Sequence, residues 1–504
     1  MCIPMSFQRV RDRVRASSRL AVTLPPVALG CVLMAGSAMA QTSGTTRLPG
    51  STISDAPNPR VVAGLIKPIQ TKEIRDDEGP LGPLARNLLK RGISFHVSLF
   101  DFFSSNPSVG QDTGNTVNST YLLTGADFDL DKILGIHHAR LHFEETFFGL
   151  RANNIEATKQ FSDSSAGYQT TYNLRSEQLS TLTYEQTFFN DRLNIELGRT
   201  HPNRFFALPT CQTLNSCYNN ILYHNAGYIS PLYSMWGGRV SYALTPTTYI
   251  EAGSFAAHPD ANAHSGWDWG QEPNPGALTL VEIGHKTGYD TQLYPGRYSL
   301  TGFYNSSSHP DNDTTAYGRS RGLNPGDPVR NRHGTQGIVI NTEQVVWRAD
   351  GGHPDAGSLR PSKSNPTAIS LYSGFGYSFD STVPFQSDLF VGANLHAPFA
   401  SRPYDRFGVK FRWVRMNGSF ARYLAEANAE AGGSGAGFSR DKAIFEINAH
   451  VQVFSAIALE PVVQYVLNPD SYYNPYSARR PRDGWYVGAA LIVPVGAMLG
   501  LKPL

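Results

Sequence analysis

The sequence predicts an all-β fold, a transmembrane antiparallel barrel of about sixteen strands preceded by a short helix. Three observations predict it. The chain opens with an export signal, and from Ile93 onward segment after segment alternates apolar and polar residues with a period of two. The links between those segments are short and long in turn, as turns at one rim and loops at the other would be. Charged residues are only 17% of the chain, against roughly 25% in soluble domains. With 11% aromatics, 47 Gly and 33 Pro, both a coiled coil and a disordered chain are excluded.

Residues 1–40 have the order of a secretory signal peptide. Arg9, Arg11, Arg13, Arg15 and Arg19 form a basic start, an apolar run follows from Leu20 to Gly36, and Ala38-Met39-Ala40 supplies small residues before a mature start at Gln41. Cys31 does not mark a lipoprotein, because the apolar run continues past it through Val32, Leu33 and Met34. The signal carries five Arg and one Asp, so its removal takes the net charge from +2 to −2. No polybasic footprint remains, which argues against nucleic acid as a partner. Residues 41–92 form the next unit. It is a leader rich in Pro, Gly, Thr and Asp, ending in a short periplasmic helix with Leu84, Leu88 and Leu89 at helical spacing and Gly92 as its terminator. No apolar stretch near 20 residues follows Gln41, so no helix spans a bilayer. Spanning by strands leaves no such signal.

Residues 93–504 are read as the barrel. Ile93, Phe95, Val97 and Leu99 alternate with Ser94, His96 and Ser98, and Leu141, Phe143 and Phe147 with Arg140, His142, Glu144 and Thr146. Ala443, Phe445, Ile447, Ala449, Val451 and Val453 alternate with Ile444, Glu446, Asn448, His450 and Gln452. This is the strand period. Continued along the chain, it places strands near 93–103, 119–130, 139–148, 178–188, 193–199, 235–243, 248–255 and 277–285. The remaining eight fall near 296–305, 335–348, 368–379, 387–396, 407–414, 442–453, 456–467 and 483–493. No helical pattern of 10–15 residues is read between them, which disfavours a parallel α/β sheet. Asn190-Asp191-Arg192, Thr245-Pro246-Thr247 and Phe454-Ser455 are short links after even-numbered strands. The long links 200–234, 256–276, 306–334 and 415–441 follow odd ones, and 349–367 breaks the rule. A soluble β-sandwich or propeller shares the period but neither the export signal nor the loop asymmetry.

Several strings resemble the carbohydrate-selective porin family (OprB-like) of Gram-negative outer membranes. They are Pro231-Leu232-Tyr233-Ser234-Met235-Trp236-Gly237-Gly238-Arg239, Tyr294-Pro295-Gly296-Arg297-Tyr298, Gln344-Val345-Val346-Trp347-Arg348, Phe375-Gly376-Tyr377-Ser378 and Leu459-Glu460-Pro461-Val462-Val463-Gln464-Tyr465-Val466-Leu467-Asn468-Pro469. The resemblance runs over roughly 80–504 and takes in the helix before Gly92 and the loop with Cys211 and Cys217. It implies passive sugar uptake across the outer membrane through a sixteen-stranded barrel, with small sugars as permeants, outer-membrane lipid around the wall and a homotrimer as the assembly. One departure is the end of the chain, Lys502-Pro503-Leu504, where many outer-membrane barrels end on an aromatic residue.

Charges of both signs on the lumen-facing parity are the candidate sugar path: Arg140, His142, Glu144, Glu196, Arg239, Glu251, Arg297, Lys410, Arg412, Glu446 and Glu460. A neutral polyol needs donors and acceptors, and mixed signs supply both without trapping one ion sign. The competing reading is that they form salt-bridge ladders filling a wet lumen. On the sugar-path reading, Arg140→Ala and Glu144→Ala alter sugar passage more than folding, because a truncated polar side chain in water leaves little unpaired while a narrow point loses a donor or acceptor. Trp267 and Trp269 are candidates for stacking on sugar faces from a long outer loop, or else belong to the interfacial aromatic girdle with Trp236, Tyr242, Trp413 and Trp485. Cys211 and Cys217, in an oxidising exported compartment, read as a disulfide stapling a small loop. No metal set, cofactor or catalytic residue is predicted. His137, His138 and His142 do not share a strand face, and Gly284-His285-Lys286-Thr287 lacks the glycine before lysine of a phosphate loop. The function class is therefore a porin and not an enzyme. A barrel receptor or adhesin with ligand-binding loops is the alternative, and a barrel hydrolase the more remote one.

Overall fold

A computed structural model describes residues 79–501 apart from 152–153, 168–176, 212, 215–216, 229–232, 258–264, 270–275, 290–291, 352–365, 400 and 455–456. The signal peptide with Cys31, leader residues 41–78, Pro231-Leu232 and the terminal Lys502-Pro503-Leu504 lie outside the described residues.

Each predicted window holds one strand. The first eight are β1 (Ile93–Asn106), β2 (Asn115–Asp129), β3 (Ala139–Arg151), β4 (Glu177–Phe188), β5 (Leu193–Thr200), β6 (Met235–Ala243), β7 (Thr248–Ala256) and β8 (Ala277–Lys286). The rest are β9 (Gly296–Thr315), β10 (Val329–Arg348), β11 (Ala368–Ser378), β12 (Phe385–His396), β13 (Arg406–Met416), β14 (Asp441–Gln452), β15 (Ala458–Leu467) and β16 (Gly484–Val493). Every strand pairs antiparallel with its sequence neighbours, and β1 pairs with β16 from Leu99↔Val493 to Ser105↔Val487, so the sheet closes on itself. Closure leaves no unpaired strand edge, the condition for a sheet in hydrocarbon.

Among the described residues five α-helices accompany the wall: α1 (Gly82–Lys90), α2 (Leu130–Leu134), α3 (Asn154–Phe161), α4 (Gly418–Glu430) and α5 (Val495–Met498). Gly92, at φ +82°, turns the chain from α1 into β1, and a Cβ there would lie 2.9 Å from the Asp129 carbonyl oxygen. The last strand ends at Val493, and Pro494 starts α5, which packs on β1 and whose end ties back to α1 through Leu81 N–H donating to the Leu499 carbonyl at 2.8 Å.

Two expectations are corrected. The link 415–441 contains the 13-residue α4, although its sequence carries no clear helical pattern of that length. Its Phe420, Ala421, Tyr423, Leu424 and Ala427 are buried against the molecule, a short apolar stripe in which Ala421 and Ala427 give little signal in sequence. The link 306–334 is mostly strand, because β9 and β10 are each 20 residues long and rise beyond the wall. That extension pairs with itself and leans on α4 through Ser320–Glu426, Arg422–Asp313 and Asn312–Ser419, so it needs no apolar face to lipid.

The outward parity is apolar and exposed, as at Phe445, Ile447 and Val409. The inward parity is only partly polar. Along β1 the inward series Ser94, His96, Ser98 gives way to Phe100 and Phe102 before Ser104 and Asn106. Phe100, Phe102, Tyr121, Leu123, Phe255, Leu280 and Phe303 form one buried cluster with Phe205, Phe206, Leu214, Ile221 and Leu222 of the β5–β6 loop. That loop lies inside the barrel, and part of the wall's inner face is its apolar bed. Ile447→Arg, at the middle of β14 on the lipid side, should destabilise the barrel by about 2–4 kcal/mol; folding titrations into liposomes, read by heat-modifiable gel mobility, measure it.

Candidate functional site in the barrel lumen

The lumen is shaped by the β5–β6 loop, which is stitched across the barrel from wall to wall. The Ala207 N–H donates to Glu282 Oε2 on β8 at 2.7 Å, Leu214 N–H to Glu460 Oε2 on β15 at 2.7 Å and Asn220 N–H to Asp388 Oδ2 on β12 at 2.7 Å. Arg297 on β9 donates to the Leu208 carbonyl at 3.0 Å and to that of Pro209. Charged wall residues thus satisfy backbone groups that an inserted loop would otherwise bury unpaired. Cys211 and Cys217 are joined in this loop, Cα to Cα 5.7 Å, and pack against Tyr372 and Phe390. The β3–β4 loop also turns inward. Lys442 on β14 lies 2.8 Å from Asp163 and 2.5 Å from Asp470, and Gly167 N–H donates to Gln464 at 2.8 Å. Gly167 has φ +64° and a Cβ there would lie 2.0 Å from the Tyr486 ring, so only glycine brings the loop this close to the wall.

The candidate charges resolve into three groups. On β1–β5, His96 lies 3.3 Å from Glu144 and 3.6 Å from Asp127, while His142 lies 2.6 Å from Asp127 and 3.0 Å from Glu185. Gly125, opposite His96 in register, leaves the room, since a Cβ would stand 2.1 Å from His96 Nε2. Next to it, Glu196 holds Arg204 of the loop at 2.8 Å, Arg239 lies 3.6 Å from Glu251, and both guanidinium groups lie over the Phe205 ring. Burial alone would weaken the Arg204 charge, but Glu196, Glu144 and Glu185 hold its pKa above the usual range. On the opposite wall Arg412 pairs with Asp388 at 2.6 Å, Lys410 with Glu446 at 2.8 Å, and Glu460 with His450 at 2.8 Å.

All eleven predicted lumen residues lie on the inward parity, but not in one ring and not in open water. Arg140 and Arg297 are half-buried, whereas His142, Glu144, Glu196, Arg239, Glu251, Lys410, Arg412, Glu446 and Glu460 are buried. The wet-lumen expectation for Glu144 is corrected accordingly: it is 2% exposed and accepts from Thr181 at 2.7 Å besides facing His96. His96, Asp127, Glu185, Arg204, Glu282 and Asp388 were missed. The strand members among them were legible from parity, whereas Arg204 lies on a loop, where parity says nothing. Trp267 and Trp269 are placed on the outer side of the wall. Trp267 packs on Phe143 and donates to Glu145 at 3.2 Å, and Trp269 meets Trp236 edge-on. Phe143, Glu145 and Trp236 have the outward parity, so these rings stand with the girdle and not over the mouth.

The family model described as carbohydrate-selective porin, OprB family, matches residues 116–491. The chain belongs to this family. It is a channel of the Gram-negative outer membrane with carbohydrates as its permeant class. A Pseudomonas putida OprB structure at high pH has the same fold, with a TM-score of 0.68 at 21% identity over 82% of this chain and 97% of that one. OmpT of Vibrio cholerae, in its trimer form, aligns with a TM-score of 0.44 at 8% identity over 79% of this chain and 98% of its own. No curated protein matches the sequence.

Glu144→Ala should destabilise the porin by about 3 kcal/mol, because it strips a buried imidazole of one of its two carboxylates, while Arg140→Ala should stay within about 0.5 kcal/mol. Urea unfolding in detergent, followed by intrinsic fluorescence, distinguishes the two. Replacing Cys211 and Cys217 together by Ser should cost at most about 2 kcal/mol by the chain-entropy account of so small a loop, and two free thiols on denatured, unreduced protein would show that the bond does not form.

Proposed function

We propose that this porin passes neutral monosaccharides passively, guided past the β5–β6 loop by Arg140 and Arg297 with the carboxylates of the wall, after cleavage of residues 1–40 and export. The observation that carries the reading is the pairing of charge within the lumen. Cations and anions alternate at 2.5–3.9 Å along both walls, so a permeating ion meets no strip of one sign, while a polyol meets donors and acceptors together. His142, Glu144, Glu196, Arg204, Arg239, Glu251, Lys410, Arg412, Glu446 and Glu460 then act by holding loop and wall in place, and the half-buried Arg140 and Arg297 offer donors to the permeant.

Assembly as a homotrimer belongs to the same proposal. It is supported by the outer face over β3–β6, where Glu145, Leu179 and Arg199 are buried beneath Ser265–Trp269. That loop segment leaves Trp267 and Trp269 exposed on the outer side, and a neighbouring copy seated there would cover them. Chemical cross-linking in outer-membrane vesicles should give a three-chain product.

Liposomes carrying the protein should swell faster with glucose or xylose than with zwitterionic solutes of similar size, and the pores should conduct in planar bilayers. Folded protein without conductance would overturn the reading.

A further inference from the structure

One buried cation ties the inner loops to the wall. Lys442 on β14 is 1% exposed. Its ammonium donates to Asp163 at 2.8 Å and Ser164 Oγ at 2.9 Å on the β3–β4 loop, and to Asp470 at 2.5 Å on the β15–β16 loop. Asp163, Ser164 and Asp470 are wholly buried. The two carboxylates in turn hold the backbone of both loops. Ser165 and Ala166 N–H groups donate to Asp163 at 2.8 Å, Asp470 N–H donates to Asp163 at 2.8 Å, and Ser164 N–H donates to Asp470 at 3.0 Å. The β5–β6 loop joins the knot through Asn220, whose amide donates to Ser164 Oγ at 3.1 Å and to Ser165 Oγ at 2.8 Å. Among the described residues, Lys442 is the cation within ion-pair distance of both Asp163 and Asp470, so one ammonium balances two carboxylates.

The β3–β4 loop reaches this knot from the far side of β2 and β1. It comes to rest on β14–β16, with Gly167 N–H on Gln464 at 2.8 Å and Phe161 edge-on to Tyr486 at 6.0 Å. A sixteen-stranded wall by itself encloses an aqueous channel, so the width left open is what the inner loops do not fill. We propose that Lys442 sets the size limit of this channel: its ammonium seats the β3–β4 and β15–β16 loops in the lumen, and the gap they leave admits a monosaccharide and excludes a disaccharide. Lys442 is a positioning residue and touches no sugar. Without it two buried carboxylates face each other with no cation, and they regain solvation when their loops leave the wall. The β5–β6 loop would stay, because Glu282, Arg297, Asp388 and Glu460 hold it elsewhere. The pore therefore widens on one side only. This rests on the reading of the chain as a monosaccharide channel and adds to it the residue that keeps larger sugars out.

Liposome swelling with glucose and with sucrose, a disaccharide, tests it, the folding of each variant being checked by heat-modifiable gel mobility. Wild type should swell with glucose and hardly at all with sucrose. Lys442→Met keeps the apolar stem and removes the charge; it should raise the sucrose-to-glucose ratio several-fold and raise salt conductance in planar bilayers. Adding Asp163→Asn and Asp470→Asn to Lys442→Met leaves no bare charge and should return the ratio towards wild type, because a buried ion cluster exchanged as a whole for neutral groups costs little. A lysine that only stabilises the barrel would change the yield of folded protein and leave the ratio alone. A folded Lys442→Met with the wild-type ratio overturns the proposal, and so does a triple variant as leaky as the single one. Should Lys442→Met not insert, Ser164→Ala decides. It removes hydrogen bonds to Lys442, Asp470 and Asn220 without baring a charge and should raise the ratio in the same direction; an unchanged ratio overturns the proposal. Wild type that passes sucrose as fast as glucose overturns the size limit while the channel stands. Wild type with neither salt conductance nor glucose-driven swelling overturns the channel reading itself.

Discussion

Everything in this molecule depends on one constraint, that every strand's backbone must find partners on both sides where the solvent is hydrocarbon. Sixteen antiparallel strands meet it by closing β1 against β16. Closure makes an inside and an outside, and the period of two distributes side chains between them. The lipid side can then be simple, a band of Phe, Ile, Leu and Val with aromatic residues near the rims. The inside must be filled or left wet, and this chain does both.

The filling creates a second problem of the same kind. A loop folded into a barrel brings its own N–H and C=O groups out of bulk water. The wall answers with carboxylates and guanidinium groups aimed at them: Glu282, Glu460 and Asp388 accept from loop N–H groups, and Arg297 donates to loop carbonyls. Many of the charges that look like a sugar path in the sequence are therefore anchors, and the hydrophobic bed around Phe205 and Phe206 does the rest. Among the described residues the buried lumen charges Lys410, Arg412 and Lys442 lie in ion pairs, in keeping with the neutral permeants proposed above. Paired charges still present dipoles and spare donors to a polyol, but no net field to an ion.

Rigidity at the mouth comes from elements that have no role in spanning. The β9–β10 extension, α4 and the β15–β16 loop brace one another through Ser320–Glu426, Arg321 over Tyr423, and Asn428 donating to the Ser477 carbonyl. The same contacts hold the rings of Tyr472 and Tyr423 in place. On the outer side, the β7–β8 loop lies over β3–β6 and removes Arg199 and Glu145 from the membrane face. Departures from the simple barrel pattern thus cluster where loops fold back on the wall.

The sequence by itself determined the wall. The strand windows coincide with β1–β16 because a strand with lipid on one side and lumen on the other cannot slip by one residue without exchanging all its side chains. The same parity put Arg140, His142, Glu144 and the other candidates inside. It could not reach α4, whose buried stripe mixes Ala421, Ala427 and Asn428 with Phe420, Tyr423 and Leu424, nor the upper parts of β9 and β10, where Ser306-Ser307-Ser308-His309 shows no alternation because neither face meets lipid. Only the tertiary structure decided which lumen charges are anchors and which arginines remain half-open. Those facts depend on where three long loops cross the barrel. Loop paths are set by contacts between residues hundreds of positions apart, such as Leu214 with Glu460, and no local period records them.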